Sequence, residues 1–249
     1  MARRRFFVDE VRRGHVQIAG SDAGHLVRVL RVEAGQRYEL SDNKNVYLAQ
    51  VETARKGLVS FQVIEELEKK ITPIAVTLSP ALFKFDHFEW MIEKATELGV
   101  ATIRPFESVR TERGLGQAAV KRSSRWERIA LEASQQSRRD HLPVIESTIP
   151  FAKVLQSEAK VRLLLDELPE ARPILACLHR DLQADSSVEL LLGPEGGWTD
   201  EEHESAISRG WQPCSVGNTI LRAETAAIAA VSVVMAAASS SAEAKLSAG

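Results

Sequence analysis

Between residues 15 and 65 the chain alternates apolar and polar positions in short runs. Residues 15–19, 37–40, 46–53 and 58–65 each read as a β-strand. The turn-forming Asp42-Asn43-Lys44-Asn45 parts the second from the third, and Lys56-Gly57 precedes the last. Short strands at this spacing predict a small barrel. One segment breaks the rhythm: GHLVRVLRVEAG at 24–35 predicts a helical turn carrying Arg28 and Arg31 on one side.

Past the charged stretch EELEKK (65–70) and Pro73 the period changes, which marks a domain boundary. Residues 74–79 predict a strand. A helix over 86–98 follows, with Phe88, Met91, Ile92, Ala95 and Leu98 on one stripe and Gly99 as its stop. Residues 102–105 form the next strand candidate. Ser124 to Glu127 fits a capping box opening a helix to about Ser137, with Trp126, Ile129, Ala130 and Ala133 turned inward; Trp90 and Trp126 both read as core. The runs at 161–165 and 188–192 are mostly apolar, of the kind buried parallel strands show, and 213–216 is a further candidate. Strands alternating with helices predict an α/β domain with a mainly parallel sheet.

Composition narrows the class. The 249 residues are 44% hydrophobic and 27% charged, which excludes a disordered chain. Cys177 and Cys214 stand far apart without metal-ligand spacing, so neither a disulfide framework nor a structural metal is expected, and the compartment expected is a reducing cytosol. MARRRFFVDEVRRG has no apolar region behind its positive cluster and is not read as a signal peptide. The apolar stretch 226–238 is short for a membrane span and is read as a buried helix. The net charge of −2 hides an uneven distribution: seven arginines against three acids in 1–31, nine bases against five acids in 104–141, and four bases against twelve acids in 158–205. Two basic segments set against an acidic one are either solvated faces or a surface for nucleic-acid phosphates.

The densest local signal is LLLGPEGGWTDEE at 190–202. It reads as the end of a strand, a Gly193-Pro194-Glu195-Gly196-Gly197 knuckle, and a helix opened by a Thr199/Glu202 capping box. The knuckle is either a tight strand-to-helix turn or a loop that admits a ligand beyond the carboxyl end of a strand. Its spacing is neither GxGxxG nor GxxxxGK[ST], so the two common phosphate loops are excluded. A second segment, VGNTILRAETAAIAAVSVVMAAA (216–238), again ends a strand, turns at Asn218-Thr219 and enters a helix of small residues.

GPEGGWTDEE followed by VGNTILRAETAAIAA, with GHLVRVLRVEAG, KFDHFEWMIEKATELGV and RWERIALEASQQSRRDHLPVI before them in that order, resembles the RsmE-type RNA methyltransferases over nearly the whole chain. The resemblance implies an N-terminal PUA-like β-barrel RNA-binding domain over 1–70 and a SPOUT methyltransferase domain, an α/β trefoil knot, over 71–249. Such knots are rare, and no periodicity could reveal one. It further implies a cytoplasmic homodimer, without membrane or metal, that uses S-adenosyl-L-methionine to methylate N3 of a uridine near the decoding region of 16S rRNA, as bare RNA or in the 30S subunit. Leu165, Leu192, Gly193, Glu195, Gly196, Gly197, Val216, Gly217, Ile220 and Leu221 are then the cofactor contacts, with Leu192, Ile220 and Leu221 as apolar walls for the adenine.

Uracil N3 carries a proton at neutral pH, so a base or a cationic environment is required. Arg222 and Glu224, beside the second loop, are the catalytic candidates, and Glu224 equally suits a helix start. RNA phosphates would fall to Arg3, Arg4, Arg5, His25, Arg28 and Arg31 on the first domain and to Arg122, Arg125, Arg138 and Arg139 further on. His25 is alternatively structural. The chain departs from the resembling family at Asn218-Thr219, where Pro-Arg is common, at Ala223, where Thr is common, and at Gly24-His25, where two histidines often stand. A SPOUT enzyme for another RNA or for a ribose 2′-oxygen, and a non-catalytic ribosome-assembly protein, stay open as alternatives.

Overall fold

The computed structural model describes residues 4–69, 74–178 and 186–246. The chain divides into two compact units, Met1–Ile71 with Ser134–Leu142, and Thr72–Ala133 with Pro143–Gly249. The expected change of domain at 70/71 falls outside the described residues. The return of 134–142 to the first unit has no counterpart in the sequence pattern.

In the first unit, β1 (Arg5–Phe7) and β2 (His15–Ala19) lead into α1 (Gly20–Arg28), followed by β3 (Arg37–Ser41), β4 (Val46–Arg55) and β5 (Leu58–Leu67). They form a five-stranded sheet in the order β1-β3-β4-β5-β2. The two turns hold as read. Asp42 Oδ1 accepts from the backbone N–H of Lys44 and Asn45, and Gly57 takes φ +95°, a conformation that favours glycine. Irregular register within the β4–β5 ladder at Leu48/Ala49 and Val51/Thr53 adds local bend and twist. Phe6, Leu40, Val51, Val59 and Phe61 share one buried core with Ala23 and Leu26 of α1. The helix begins earlier than 24 and ends at Arg28, so Arg31 sits outside it at φ 51° and does not share its face.

A buried ion cluster locks 134–142 into this unit. Arg5 pairs with Glu39 at 2.9 Å and with Asp140, Arg138 pairs with Glu39, and Ser41 Oγ donates to Asp140 O at 2.6 Å.

The second unit runs β6 (Ile74–Pro80), α2 (Phe85–Glu97), β7 (Thr102–Ile103), β8 (Phe106–Glu107), α3 (Leu115–Val120), α4 (Ser123–Ser137, its last turn in the first unit) and β9 (Val144–Ile145). It continues through β10 (Ile149–Pro150), α5 (Phe151–Val154), β11 (Val161–Leu165), β12 (Arg172–Pro173), α6 (Ile174–Leu178), β13 (Ser186–Leu192), α7 (Asp200–Ser208), β14 (Gln212–Ser215) and α8 (Ala223–Leu246). A parallel seven-stranded sheet has the order β12-β14-β11-β13-β6-β7-β9.

The apolar runs at 161–165 and 188–192 follow from burial on both faces. Leu163, Leu165, Leu190 and Leu192 join the core that contains residues of α2 and α8, while Leu164 and Leu191 pack with Phe106 and Trp211 on the other side. Within the apolar part of β13 stands Glu189, buried, which accepts from Ser79 Oγ at 2.5 Å and pairs with Arg104 at 3.0 Å.

Two expectations need correction. Ser124 is the second residue of α4 and not its cap, because α3 ends at Val120 and the helix has already begun at Ser123. Trp90 is 47% exposed, whereas Trp126 is buried, since position 90 falls off the stripe that Phe88, Met91, Ile92 and Ala95 turn inward. The helix at the C-terminus is also longer than its apolar run implied. Over Ala223–Ser240 it is long and apolar enough to cross a membrane, yet it packs against β6, β13, α2 and α6. Cys177 and Cys214 are free and buried, and burial pushes both thiols up.

Candidate functional site

Parallel strands direct all their carboxyl ends the same way. The segments leaving β11, β13 and β14 therefore gather at one end of the sheet, the region where open α/β sheets bind ligands. A cavity of about 1050 Å³ opens there. Leu165, Leu192, Gly193, Glu195, Gly196, Gly197, Val216, Gly217, Ile220 and Leu221 all lie on its wall, together with Arg222. Ile220 is 79% exposed.

The knuckle owes its glycines to several neighbours. A Cβ on Gly193 would stand 3.0 Å from the Trp198 indole, Gly196 lies under the Arg110 side chain, and Gly197 takes φ +71°. The side-chain room at 193 thus belongs to Trp198, a correction to reading all of it as ligand space. Trp198 donates its indole N–H to Leu165 O at 3.1 Å and stacks on Phe106, which ties the knuckle to the end of β11. Arg110 Nη1 donates to Gly196 O at 2.8 Å. Of the glycines in the two loops, Gly217 alone has nothing within 4 Å of its would-be Cβ.

The capping box on α7 forms as read: Thr199 Oγ1 accepts from Glu202 N, and Glu202 Oε2 from Thr199 N, each at 3.2 Å. The same carboxylate takes Val109 N at 2.9 Å, so it also secures the segment that carries Arg110.

Of the two catalytic candidates, Arg222 is exposed on the cavity wall. Glu224 is withdrawn from it, its side chain 5% exposed and its Oε1 hydrogen-bonded to His87 Nδ1 at 2.7 Å. His87 itself lines the cavity. The hydrogen bond to Glu224 raises the His87 pKa above its ordinary 6.5, against partial desolvation and the nearby Arg222. A second pair lies on the same wall, Asp166 Oδ2 to His203 Nε2 at 2.6 Å. His87, Arg110, Asp166 and His203 escaped the sequence reading because their partners are distant in the chain. His87 and Glu224 are 137 positions apart, and Arg110 and Gly196 are 86 apart.

The RNA candidates separate by exposure. Arg4, His25, Arg28 and Arg31 are exposed, with Arg28 Nε also donating to Gly24 O. Arg5 is buried in the ion cluster and has no face for a phosphate, a correction that follows from Glu39 and Asp140 consuming its charge. Arg138 shares that cluster. Burial lowers the Arg139 pKa to about 10, which leaves it charged at neutral pH. Arg122 and Arg125 both pair with Glu89, at 2.6 and 2.8 Å, while keeping exposed surface. Arg3 lies outside the described residues.

With this geometry in view, comparison with known proteins gives a consistent result. The model of an RNA methyltransferase domain matches residues 70–235, and that of an RNA methyltransferase PUA domain matches 18–64. The chain is 34% identical to ribosomal RNA small subunit methyltransferase E of Synechocystis sp., over 88% of this chain and 72% of that one. It is 32% identical to the protein of the same name from Bacillus subtilis, over 87% and 88%. Among solved structures, ribosomal RNA small subunit methyltransferase E from Neisseria gonorrhoeae, bound to S-adenosyl methionine, is similar with a TM-score of 0.85 at 26% identity, covering 95% of this chain and 98% of that one. The PUA-like sheet, the parallel sheet with its cavity of three strand-end loops, and these matches place the chain in the ribosomal RNA small subunit methyltransferase E family of SPOUT proteins.

Proposed function

We propose that the protein methylates N3 of a uridine in small-subunit 16S rRNA, near the decoding region, using S-adenosyl-L-methionine. The observation that carries the reading is the cavity at the ends of β11, β13 and β14, in a chain whose Neisseria relative was solved with that cofactor. The residues present fit such a group. Leu165, Leu192, Val216 and Leu221 offer apolar walls, the 193–197 and 216–217 segments line the cavity, and Gly217 opens on unfilled space. Carboxylates of Asp166 and Glu195 and cations of Lys84, Arg110 and Arg222 stand on the same wall to receive charged and hydroxyl groups. A cavity of this size is ample for a ligand of that class.

When bound, the cofactor supplies a methyl group on a cationic sulfur, ready for in-line displacement. The chain's part is to hold the uracil in line and to tolerate the charge left when N3 loses its proton. Arg222, exposed at the cavity edge, is the residue assigned to RNA phosphate or the uracil oxygens. Arg4, His25, Arg28, Arg31, Arg122, Arg125 and Arg139 are assigned to the RNA backbone, which supplies affinity and orientation and not sequence choice.

The enzyme acts as a homodimer in this reading, in the cytoplasm where ribosomal subunits are built. Support comes from α2, which packs against α8 and leaves Trp90 47% exposed. An exposed indole of this size is apolar surface that a second copy of the chain would cover.

The test is direct. Unmodified 30S subunits and bare 16S rRNA are incubated with protein and methyl donor, and the product is located by nucleoside mass spectrometry. One 3-methyluridine per 16S rRNA is expected on at least one substrate, and no incorporation on either rejects the activity.

A further inference from the structure

Arg222 is one cation on the wall of the cavity, and Glu224, the neighbouring carboxylate, does not line it. What lines it is the partner of Glu224. We propose that His87, held as an imidazolium by the buried Glu224 carboxylate, donates its Nε2–H to a uracil carbonyl oxygen and stabilises the anion formed when N3 is deprotonated. The inference rests on the uracil-N3 reading above.

The geometry supports it at each step. Glu224 Oε1 holds His87 Nδ1 at 2.7 Å, and the carboxylate is 5% exposed while the imidazole is 32% exposed. A buried carboxylate without a cationic or hydrogen-bonding partner is costly, so the pair favours the protonated ring. With Nδ1 engaged, Nε2–H is the remaining donor, and His87 is the member of the pair that lines the cavity. The groups that face the ring come from every side. Glu224 belongs to α8, Asp86 of α2 lies 3.8 Å from Nε2 and is 78% exposed, Arg222 before α8 opposes protonation, and Lys84 and Arg110 share the cavity wall. Glu224 dominates this set and leaves the ring with a raised pKa.

The proton balance is simple. The N3 proton passes to solvent buffer or hydroxide, and the electron pair stays on N3, delocalised over the two carbonyl oxygens. The imidazolium neither gives nor takes a proton. Its role is that of an oxyanion-hole donor, and loss of one such donor costs about 10²–10³ in kcat.

Two measurements test this. The first needs neither RNA nor cofactor: the His87 ring is titrated by NMR in the wild type and in Glu224→Gln. The wild-type ring is expected to titrate above 6.5 and to fall on substitution. A wild-type value at or below 6.5 overturns the proposal. The second is methylation of 30S subunits by wild type, His87→Gln and His87→Lys, with cofactor affinity followed by calorimetry. His87→Gln should bind cofactor normally and lose about 10²-fold in kcat below the His87 pKa. That deficit should narrow as pH rises and the wild type sheds its cation, and His87→Lys should recover most of the rate and keep it at high pH. A deficit that does not change with pH, or His87→Gln at the wild-type rate, overturns the proposal. A methyl group found away from N3 in the wild-type product overturns the function proposed above, a result read without any variant.

Discussion

Gly197 and Gly193 are glycines for different reasons, and their substitutions should fail differently. Gly197 takes φ +71°, where an L side chain costs about 1–2 kcal/mol. Gly197→Val should keep the fold, by far-UV circular dichroism, and weaken cofactor binding by about tenfold in calorimetry, the equivalent of about 1.4 kcal/mol of loop distortion. Unchanged binding would remove the knuckle from the cofactor site. Gly193 instead makes way for the Trp198 ring. The quoted motif showed that side chains were being avoided at 193–197, but it did not show by what. A rigid indole packed from five positions downstream and a left-handed backbone leave the same trace in a sequence. Charged residues follow a similar rule. Arg4 and Arg5 are adjacent and alike in sequence, yet one is exposed and the other is enclosed by Glu39 and Asp140, 34 and 135 positions away.

Elements that depend on near neighbours were the most legible. The Thr199/Glu202 capping box needs only four consecutive residues and appears as read. Thr199→Ala should destabilise the protein by about 1 kcal/mol in urea unfolding, the usual value of an N-cap hydroxyl. A smaller loss would mean that the Glu202 bonds to Thr199 N and Val109 N suffice to hold the helix end. Strand β11 matches its expected bounds, and β13 extends its run by two residues, because a largely apolar run of this length reports burial on both faces. The same cue fails where local pattern is ambiguous. Ser124 fits a cap by composition, but α3 ends at Val120 and α4 has already begun at Ser123, so no non-helical residue stands at 124. Helix α8 shows the opposite failure: its small residues gave no face to choose, and its neighbours β6, β13, α2 and α6 were settled by packing alone.

At the scale of the molecule, the exposed Trp90 is the surface on which the proposed dimer rests. Trp90→Glu should shift the protein from dimer to monomer in sedimentation equilibrium while leaving the thermal transition of the monomer unit intact. A dimer of undiminished affinity would direct attention away from α2. The sequence by itself determined the change from short alternating strands to α/β alternation, the parallel sheet, the two glycine-bearing loops and, through five ordered blocks, the family. All of these are written in neighbouring residues, where period, capping and turn chemistry act over a few positions. Tertiary structure alone decided that 134–142 returns to the first unit through the Arg5, Glu39, Arg138 and Asp140 cluster. It also decided that Arg110 lies across the knuckle and that His87 meets Glu224 at the cavity. Such pairs are joined by charge and burial across many tens of residues, and no local spacing records which distant carboxylate a given cation will find.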